Sequence, residues 1–433
     1  MLCGMRPTDA HRILEQKGEI LGYFAVAGMD DKQAAPGVLR YSPEDGTAVR
    51  LIDAPRGWPT TLGHRGELVV HGETSDGGHP LTLLDARVSS LALGDRVTGL
   101  RAATLALGPH FDRETTWSAV TYSTAHLHEW LGDSGLTVDV ELDERGQTEH
   151  LTHHWAPPQA HVVQLADARV TLGPAMPRDD GRIAEWRVRI QTQLAVRPAE
   201  PMTVAAFERR FARPLLAFTV LAADRPDAIT HEAVSDTKRC ERAVILRMGR
   251  SVTPREWRPD DRFLFRAEQI DDVADIYGRW MALWEEAGPE VATFVDAVNE
   301  GSTYSRARLL ASVVALEAYW RTRLRQPTSP GQKPQSLSLT DKLKALRDHS
   351  GVDTARIGGT NKNLKLLVAG RNLYAHLNQT LVEVSDEEID DGLVDNCRRA
   401  TALMQACLLH DLGVLPKRIN EMFAEHLASW PLD

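Results

Sequence analysis

Arg371, Asn372 and His376 fall within six positions of one another in the run Arg371-Asn372-Leu373-Tyr374-Ala375-His376, inside a strongly basic part of the chain. A guanidinium, an amide and an imidazole supply a phosphate clamp, an orienting group and a proton-transfer group, the parts that cleavage of RNA without a metal requires. RNA carries a 2′-hydroxyl beside its phosphodiester. A base that takes that proton lets the oxygen attack phosphorus, giving a 2′,3′-cyclic phosphate and a free 5′-hydroxyl. An imidazole, with an ordinary pKa of about 6.5, suits the base role. Arg371 can hold two non-bridging oxygens bidentately and stabilise the charge that builds on them, and Asn372 can orient the imidazole or the phosphate. At about 100° per residue, Asn372 and His376 nearly eclipse on a helix, with Arg371 long enough to reach the same side. The same six residues also read as an ordinary polar helix face with one satisfied histidine.

The surroundings bear on that choice. Net charge over the 433 residues is −10, yet between Gly301 and His376 there are 13 Lys or Arg against four acids, a local balance of +9. A basic island in an acidic protein is a place for a polyanion, with Arg321, Arg325, Lys342, Lys362 and Lys365 as candidate RNA contacts. The alternative is that these charges simply solvate amphipathic helices. Glu317 lies in an apolar stripe, where a charge is expensive unless paired; it either holds Arg371 or His376 in place or pairs with Arg321, four residues on. Tyr374 is a base-stacking residue or part of a core. Gly370 costs about 1 kcal/mol relative to Ala inside a helix; it permits close approach of a partner helix or a phosphate, or is tolerated drift. Cyclisation needs an acid for the leaving 5′-oxygen as well as a base, and the motif holds one histidine. Two copies across a two-fold axis would supply both, so a homodimer through the helical region is expected.

The elements that must position these groups change character along the chain. The first half reads as β-rich: short apolar runs at Ile20–Val26, Pro36–Tyr41, Val49–Ile52, Glu67–His71 and Leu81–Leu84, separated by turns such as Ser42-Pro43-Glu44-Asp45-Gly46 and Ser75-Asp76-Gly77-Gly78. Alternation of Trp186, Val188, Ile190, Thr192, Leu194 and Val196 with polar residues is a half-buried strand. Short strands at this spacing suggest a sandwich or barrel. A helical run follows at Phe207–Leu221, interrupted at Pro214, then a strand at Ala243–Met248 and a linker at Thr253–Asp261. The second half is helical: Ile276–Ala287; Ser305–Arg325 with the stripe Leu309, Val313, Leu316, Trp320 and Leu324; a loop at Gln326–Ser338; Lys342–Arg347 capped by Thr340; the motif helix, Asn361–Leu377; and a final long helix to about Leu412. The fold class is therefore α+β, a β-rich domain over 1–257 followed by an up-down helical bundle over 258–433.

Other features set bounds. Hydrophobic residues make up 42% and mean hydropathy is −0.30, and no apolar run approaches the roughly 18 residues of a membrane span. The N-terminal residues have no signal-peptide pattern. Cys3, Cys240, Cys397 and Cys407 lack the spacing of a disulfide framework or zinc site. A cytoplasmic setting is expected, with no membrane partner and no cofactor. No phosphate-binding Gly-rich loop or nucleophile elbow is present. His150, His153, His154 and His161 lie in a stretch that reads as loop around Trp155, Pro157 and Pro158. No spaced carboxylate or cysteine completes a metal set there, and His410-Asp411 reads as a helix end.

The R-N-x-x-x-H pattern at Arg371, Asn372 and His376 resembles the signature of HEPN domains. Gly22-Tyr23-Phe24, the run Pro36–Gly46 and Leu127-His128-Glu129-Trp130-Leu131 resemble the N-terminal domain of ApeA-type proteins; Ala315-Leu316-Glu317-Ala318-Tyr319-Trp320-Arg321 resembles the helix that precedes the motif in their C-terminal HEPN domain. Together these touch both halves of the chain. The resemblance implies an anti-phage defence protein whose N-terminal half senses a phage-derived trigger or restrains the nuclease. Its helical half would be a metal-independent endoribonuclease acting on RNA, tRNA among the substrates. A non-catalytic protein, binding a protein or glycan through its β-rich half and dimerising through the bundle, is the competing reading. Some HEPN domains continue the motif to H-x-Tyr; here that position is Asn378, which argues against regulation by tyrosine modification.

Overall fold

The computed structural model describes residues 19–29, 33–42, 45–52, 58, 68–76, 78–92, 96–132, 135–156, 158–175, 191–247, 263–299, 304–325, 337–353, 359–376 and 392–427. The expected linker at Thr253–Asp261, the strand residues Trp186, Val188 and Ile190, most of the loop at Gln326–Ser338, and Asn378 lie outside them. The fold is mixed α+β, an N-terminal β-barrel with extra strands and a C-terminal helical region. Two compact units account for it. One comprises Met1–Ala125, Gln164–Ala212 and Ala228–Thr253; the other comprises His126–Val163, Arg213–Asp227 and Pro254–Asp433. The units are discontinuous, so a single boundary near 257 describes only the last crossing between them.

The first unit is built on six antiparallel strands, β1 (Glu19–Val26), β2 (Ala35–Ser42), β3 (Gly46–Leu51), β4 (Leu68–Thr74), β5 (Pro80–Ala92) and β6 (Arg96–Leu107). They run β6-β3-β2-β1-β4-β5, and pairing of β5 back onto β6 closes the barrel. Strict alternation drives this: Glu19, Leu21 and Tyr23 of β1 face out while Ile20, Gly22 and Phe24 are buried. The interior is filled by Phe24, Leu39, Val49, Val70, Leu83 and Leu105 among others, and each such side chain removed from water stabilises by roughly 1.5–3 kcal/mol. Gly72 is required by this packing. A Cβ there would meet Leu81 Cδ1 and Phe24 Cδ1, both at 2.9 Å. Gly46, at φ 77°, takes the left-handed turn expected between β2 and β3.

Beyond Thr104, the outer edge of β6 pairs with β16 (Glu241–Arg247) instead of β3. The sheet then continues through β15 (Ile229–Asp236), β8 (Ala119–Thr124), β13 (Gln191–Pro198) and β12 (Ala168–Ala175); β7 (Thr116–Trp117), β11 (His161–Gln164) and β14 (Met202–Thr203) are short strands of two to four residues. Inside it Arg247 forks onto Glu232 at 2.7 and 3.0 Å and reaches Glu208 at 2.9 Å. Burial raises the Glu232 carboxyl, an effect the adjacent guanidinium opposes.

The second unit gathers aromatic side chains from distant parts of the chain. Trp130, from the short helix α1 (Leu127–Leu131), meets Phe218 edge-on at 5.0 Å, and Phe218 in turn meets Phe265, Tyr277 and Trp280 at 5.4–5.9 Å. Phe218 lies on α3 (Arg213–Ala223), which follows α2 (Val204–Phe207) through one π turn at Glu208–Ala212. The interruption expected at Pro214 therefore sits just upstream of it, and proline occupies the first turn of α3, where its missing N–H costs least. The Pro214 carbonyl accepts from Trp280 Nε1 at 2.8 Å.

The bundle consists of α4 (Val273–Asn299, kinked at Ala287), α5 (Arg306–Arg323), α6 (Leu339–Ser350), α7 (Asn361–His376), α8 (Leu393–Asp411) and α9 (Pro416–Leu427). Leu309, Val313, Leu316 and Trp320 bury as the stripe requires, and α5 packs against α4, α6, α7 and α8. Three sequence expectations are corrected. Ser338, not Thr340, caps α6, accepting from Asp341 N at 3.2 Å. A further helix, α9, follows the one expected to be last. The segment around His150, His153 and His154 is no loop but β10 (Thr148–Trp155), paired in a hairpin with β9 (Leu136–Leu142).

Candidate functional site

Arg371 and Asn372 sit in the last turns of α7, and His376 is the final described residue of that helix. Thr360 opens the helix, its hydroxyl accepting from Asn363 N at 3.3 Å. Leu364, Leu367 and Leu373 face the interior, which leaves Arg371 and Asn372 half-buried at the edge. Arg371 Nη1 donates to Asn372 Oδ1 at 3.1 Å, so guanidinium and amide form one unit. The His376 side chain lies outside the described residues.

Glu317 organises the neighbourhood. Its carboxylate accepts a hydrogen bond from Lys342 at 2.5 Å, with Arg321 at 3.9 Å and Arg371 at 4.0 Å. The Lys342 hydrogen bond, assisted by the Lys342, Arg371 and Arg321 charges, holds the Glu317 carboxyl below its usual range despite partial burial. By sequence, Glu317 holds Arg371 or His376, or pairs with Arg321. Both arginines are near, and Lys342, expected to contact RNA, is nearer than either. Lys342 Nζ also lies over the Trp320 ring at 5.4 Å. Its side chain is 17% exposed against 58% for Arg321, so Arg321 is far more available to an incoming phosphate. Arg325, Lys362 and Lys365 are exposed. Gly370 is buried, and Tyr374 packs on Ala369 and Leu373 with Arg306 over its ring at 5.2 Å.

A second polar cluster lies at the end of α8. Asp411 accepts from Tyr319 at 2.5 Å and Arg323 at 3.1 Å on one oxygen and contacts His349 at 2.7 Å with the other. Burial pushes its carboxyl up, but the Tyr319 and His349 hydrogen bonds and the Arg323 charge outweigh that and hold it below the usual range. His349, His410 and Asp411 bring possible ligand atoms within 4.8 Å of one another. The donor set does not suit a cation, because both carboxylate oxygens are already engaged and a guanidinium stands beside them. His410-Asp411 is thus more than a helix end: it closes a half-buried network that sequence spacing concealed, since His349 lies 61 residues upstream of His410.

No helix among the described residues is long and apolar enough to cross a membrane. Taken together, the chain is of the class that joins a closed β-barrel carrying extra strands to a helical bundle with a basic motif helix. It belongs to the family of ApeA N-terminal domain 1, whose family model matches residues 19–280, and that membership points to anti-phage defence. The matched range ends within α4, ahead of α5 and α7. Comparisons with curated proteins and with solved structures return no significant match.

Proposed function

We propose that the helical unit is a HEPN-type endoribonuclease acting in anti-phage defence. The observation that carries this reading is the Arg371–Asn372 pair on a helix ending at His376, steadied by Glu317 within a basic region. In the proposed reaction the His376 imidazole takes the proton of the RNA 2′-hydroxyl. The 2′-oxygen bonds to phosphorus, the bond to the 5′-oxygen breaks, and the departing oxygen takes a proton from the His376 of a second copy. Arg371 stabilises the charge on the non-bridging oxygens. Products are a 2′,3′-cyclic phosphate and a 5′-hydroxyl, and none of these steps calls on a metal.

Expression of the wild-type protein during phage infection should halt growth, while His376→Ala should be harmless and equally folded by circular dichroism. Cleaved RNA should carry cyclic phosphate ends and form in the presence of EDTA; 5′-phosphate products would refute the chemistry. One observation favours the binding-only alternative: Arg371 and Asn372 hydrogen-bond each other, as a satisfied polar face does. Equal toxicity of wild type and His376→Ala would decide for it.

A further inference from the structure

The outer face of the barrel carries a charge pattern that folding alone does not explain. Cross-strand register places Glu19, Arg40, Ala48, Arg101 and Arg87 side by side in one row across β1, β2, β3, β6 and β5. Neighbouring strands lie about 4.8 Å apart, so Arg101 and Arg87 are direct neighbours. Like charges opposed in this way destabilise a sheet. The next row runs Leu21, Val38, Arg50 and Gly99 and adds a fourth arginine. Glu19 pairs with Arg40 at the end of the first row. Among the described residues, no carboxylate pairs with Arg50, Arg87 or Arg101.

The floor between these arginines is kept low. Ala48 separates Arg40 from Arg101, and a Cβ on Gly99 would stand 2.4 Å from Ser90 Oγ and 2.9 Å from Ser89 Oγ. A bulge in β5 at Val88–Leu91 turns both serines outward, and Thr98 donates to Ser90 at 3.0 Å. The result is an open cleft of about 260 Å³ lined by Arg40, Arg50, Arg101, Ser89, Ser90 and Thr98. Beside it lies an apolar band: Leu21 and Tyr23 are 57% exposed and Ile52 is 66% exposed. Tyr23 is opposite Pro36, whose carbonyl accepts from Ile52 N, so they form the third row of the same face.

We propose that this face binds single-stranded nucleic acid, the guanidinium and hydroxyl cleft taking the phosphates and the Tyr23 band taking the bases. Among the described residues, four arginines and three hydroxyls on these strands face the exposed carboxylates Glu19, which pairs with Arg40, and Glu73, which stands opposite Tyr23; the remaining positive charge complements a polyanion. The adjoining exposed aromatic and aliphatic row supplies the stacking surface that distinguishes a nucleic-acid strand from a free anion. The site lies on a different unit from Arg371 and does not depend on the nuclease reading.

The test is fluorescence anisotropy of a labelled oligothymidylate of about 20 nucleotides, a length that exceeds the span of a single site. The protein is the full chain carrying His376→Ala. Arg50→Ala/Arg101→Ala in that background should weaken binding at least tenfold. It should also lower the slope of log affinity against log salt by about 1.4, two contacts at about 0.7 each. Tyr23→Ala should weaken binding several-fold and leave that slope unchanged. Melting temperature of the double variant should hold or rise, because a like-charge contact is relieved. If the double variant melts early, Arg87→Ala carries the same binding expectation with a slope change of about 0.7. Binding by the arginine variants within twofold of the parent, or loss confined to Lys362→Ala/Lys365→Ala on the motif helix, overturns the proposal. So does a failure of the parent protein to bind the strand.

Discussion

Replacing Glu317 by Gln tests whether one carboxylate holds the basic side of the bundle together. Gln keeps the shape and one acceptor but removes the charge shared by Lys342, Arg321 and Arg371. The Lys342 contact is a charge-assisted hydrogen bond, of a kind worth about 1.5–3 kcal/mol. The two arginines, at 3.9 and 4.0 Å and partly exposed, add about 0.2–1 kcal/mol each at most. With part of the hydrogen bond retained, Glu317→Gln should lose about 1–2 kcal/mol near neutral pH. The pH dependence provides the sharper check. Because the folded carboxyl is held below its ordinary value of about 4.3, its contribution is fully present above that value and is lost as pH falls through the lower, folded one. Urea denaturation of both proteins should therefore show a gap at pH 7 that closes as the pH is lowered past about 4. A gap of the same size under acid conditions would refute the charge argument and leave only a packing defect.

Three further changes probe the frame. Gly72→Ala drives a methyl into Phe24 and Leu81 and should cost about 1–3 kcal/mol by overpacking; adding Phe24→Leu should recover part of the loss in denaturant titrations. Arg247→Met strands the buried Glu232 carboxylate and should cost about 3–5 kcal/mol at neutral pH, with Glu232→Gln/Arg247→Met losing less than the single change. Asp411→Asn removes the charge facing Tyr319, His349 and Arg323; a loss of about 3 kcal/mol is expected, shrinking in acid because the folded carboxyl is held low.

Much of the frame was legible in the sequence because it rests on local periodicity. The apolar run Ile20–Val26 announced β1, and the spacing of Leu309, Val313, Leu316 and Trp320 announced α5. What escaped depends on pairings between distant residues. Nothing near Glu317 singles out Lys342, 25 positions away, and nothing near Asp411 points to His349. The β9–β10 hairpin was hidden because, among the described residues, its two strands pair with no third strand, and the histidines among Trp155, Pro157 and Pro158 looked like punctuation. Ser338 and Thr340 are both good caps by type; the side-chain contact to Asp341 N chose between them. The Arg371–Asn372 pairing follows from adjacency and was foreseeable in kind, whereas the alignment of Arg40, Arg101 and Arg87 appears only once strand register is known.

The aromatic cluster around Phe218 has a bearing on how the chain can be divided. A protease cutting once after residue 257 would not liberate a self-sufficient helical fragment. That fragment would leave behind Trp130 and Phe218 and uncover the rings of Phe265, Tyr277 and Trp280 that they cover. Greasy surface of that extent invites clumping. Trimming the gene at that point should therefore yield insoluble material, and on the nuclease reading proposed above the activity is to be sought in the intact polypeptide.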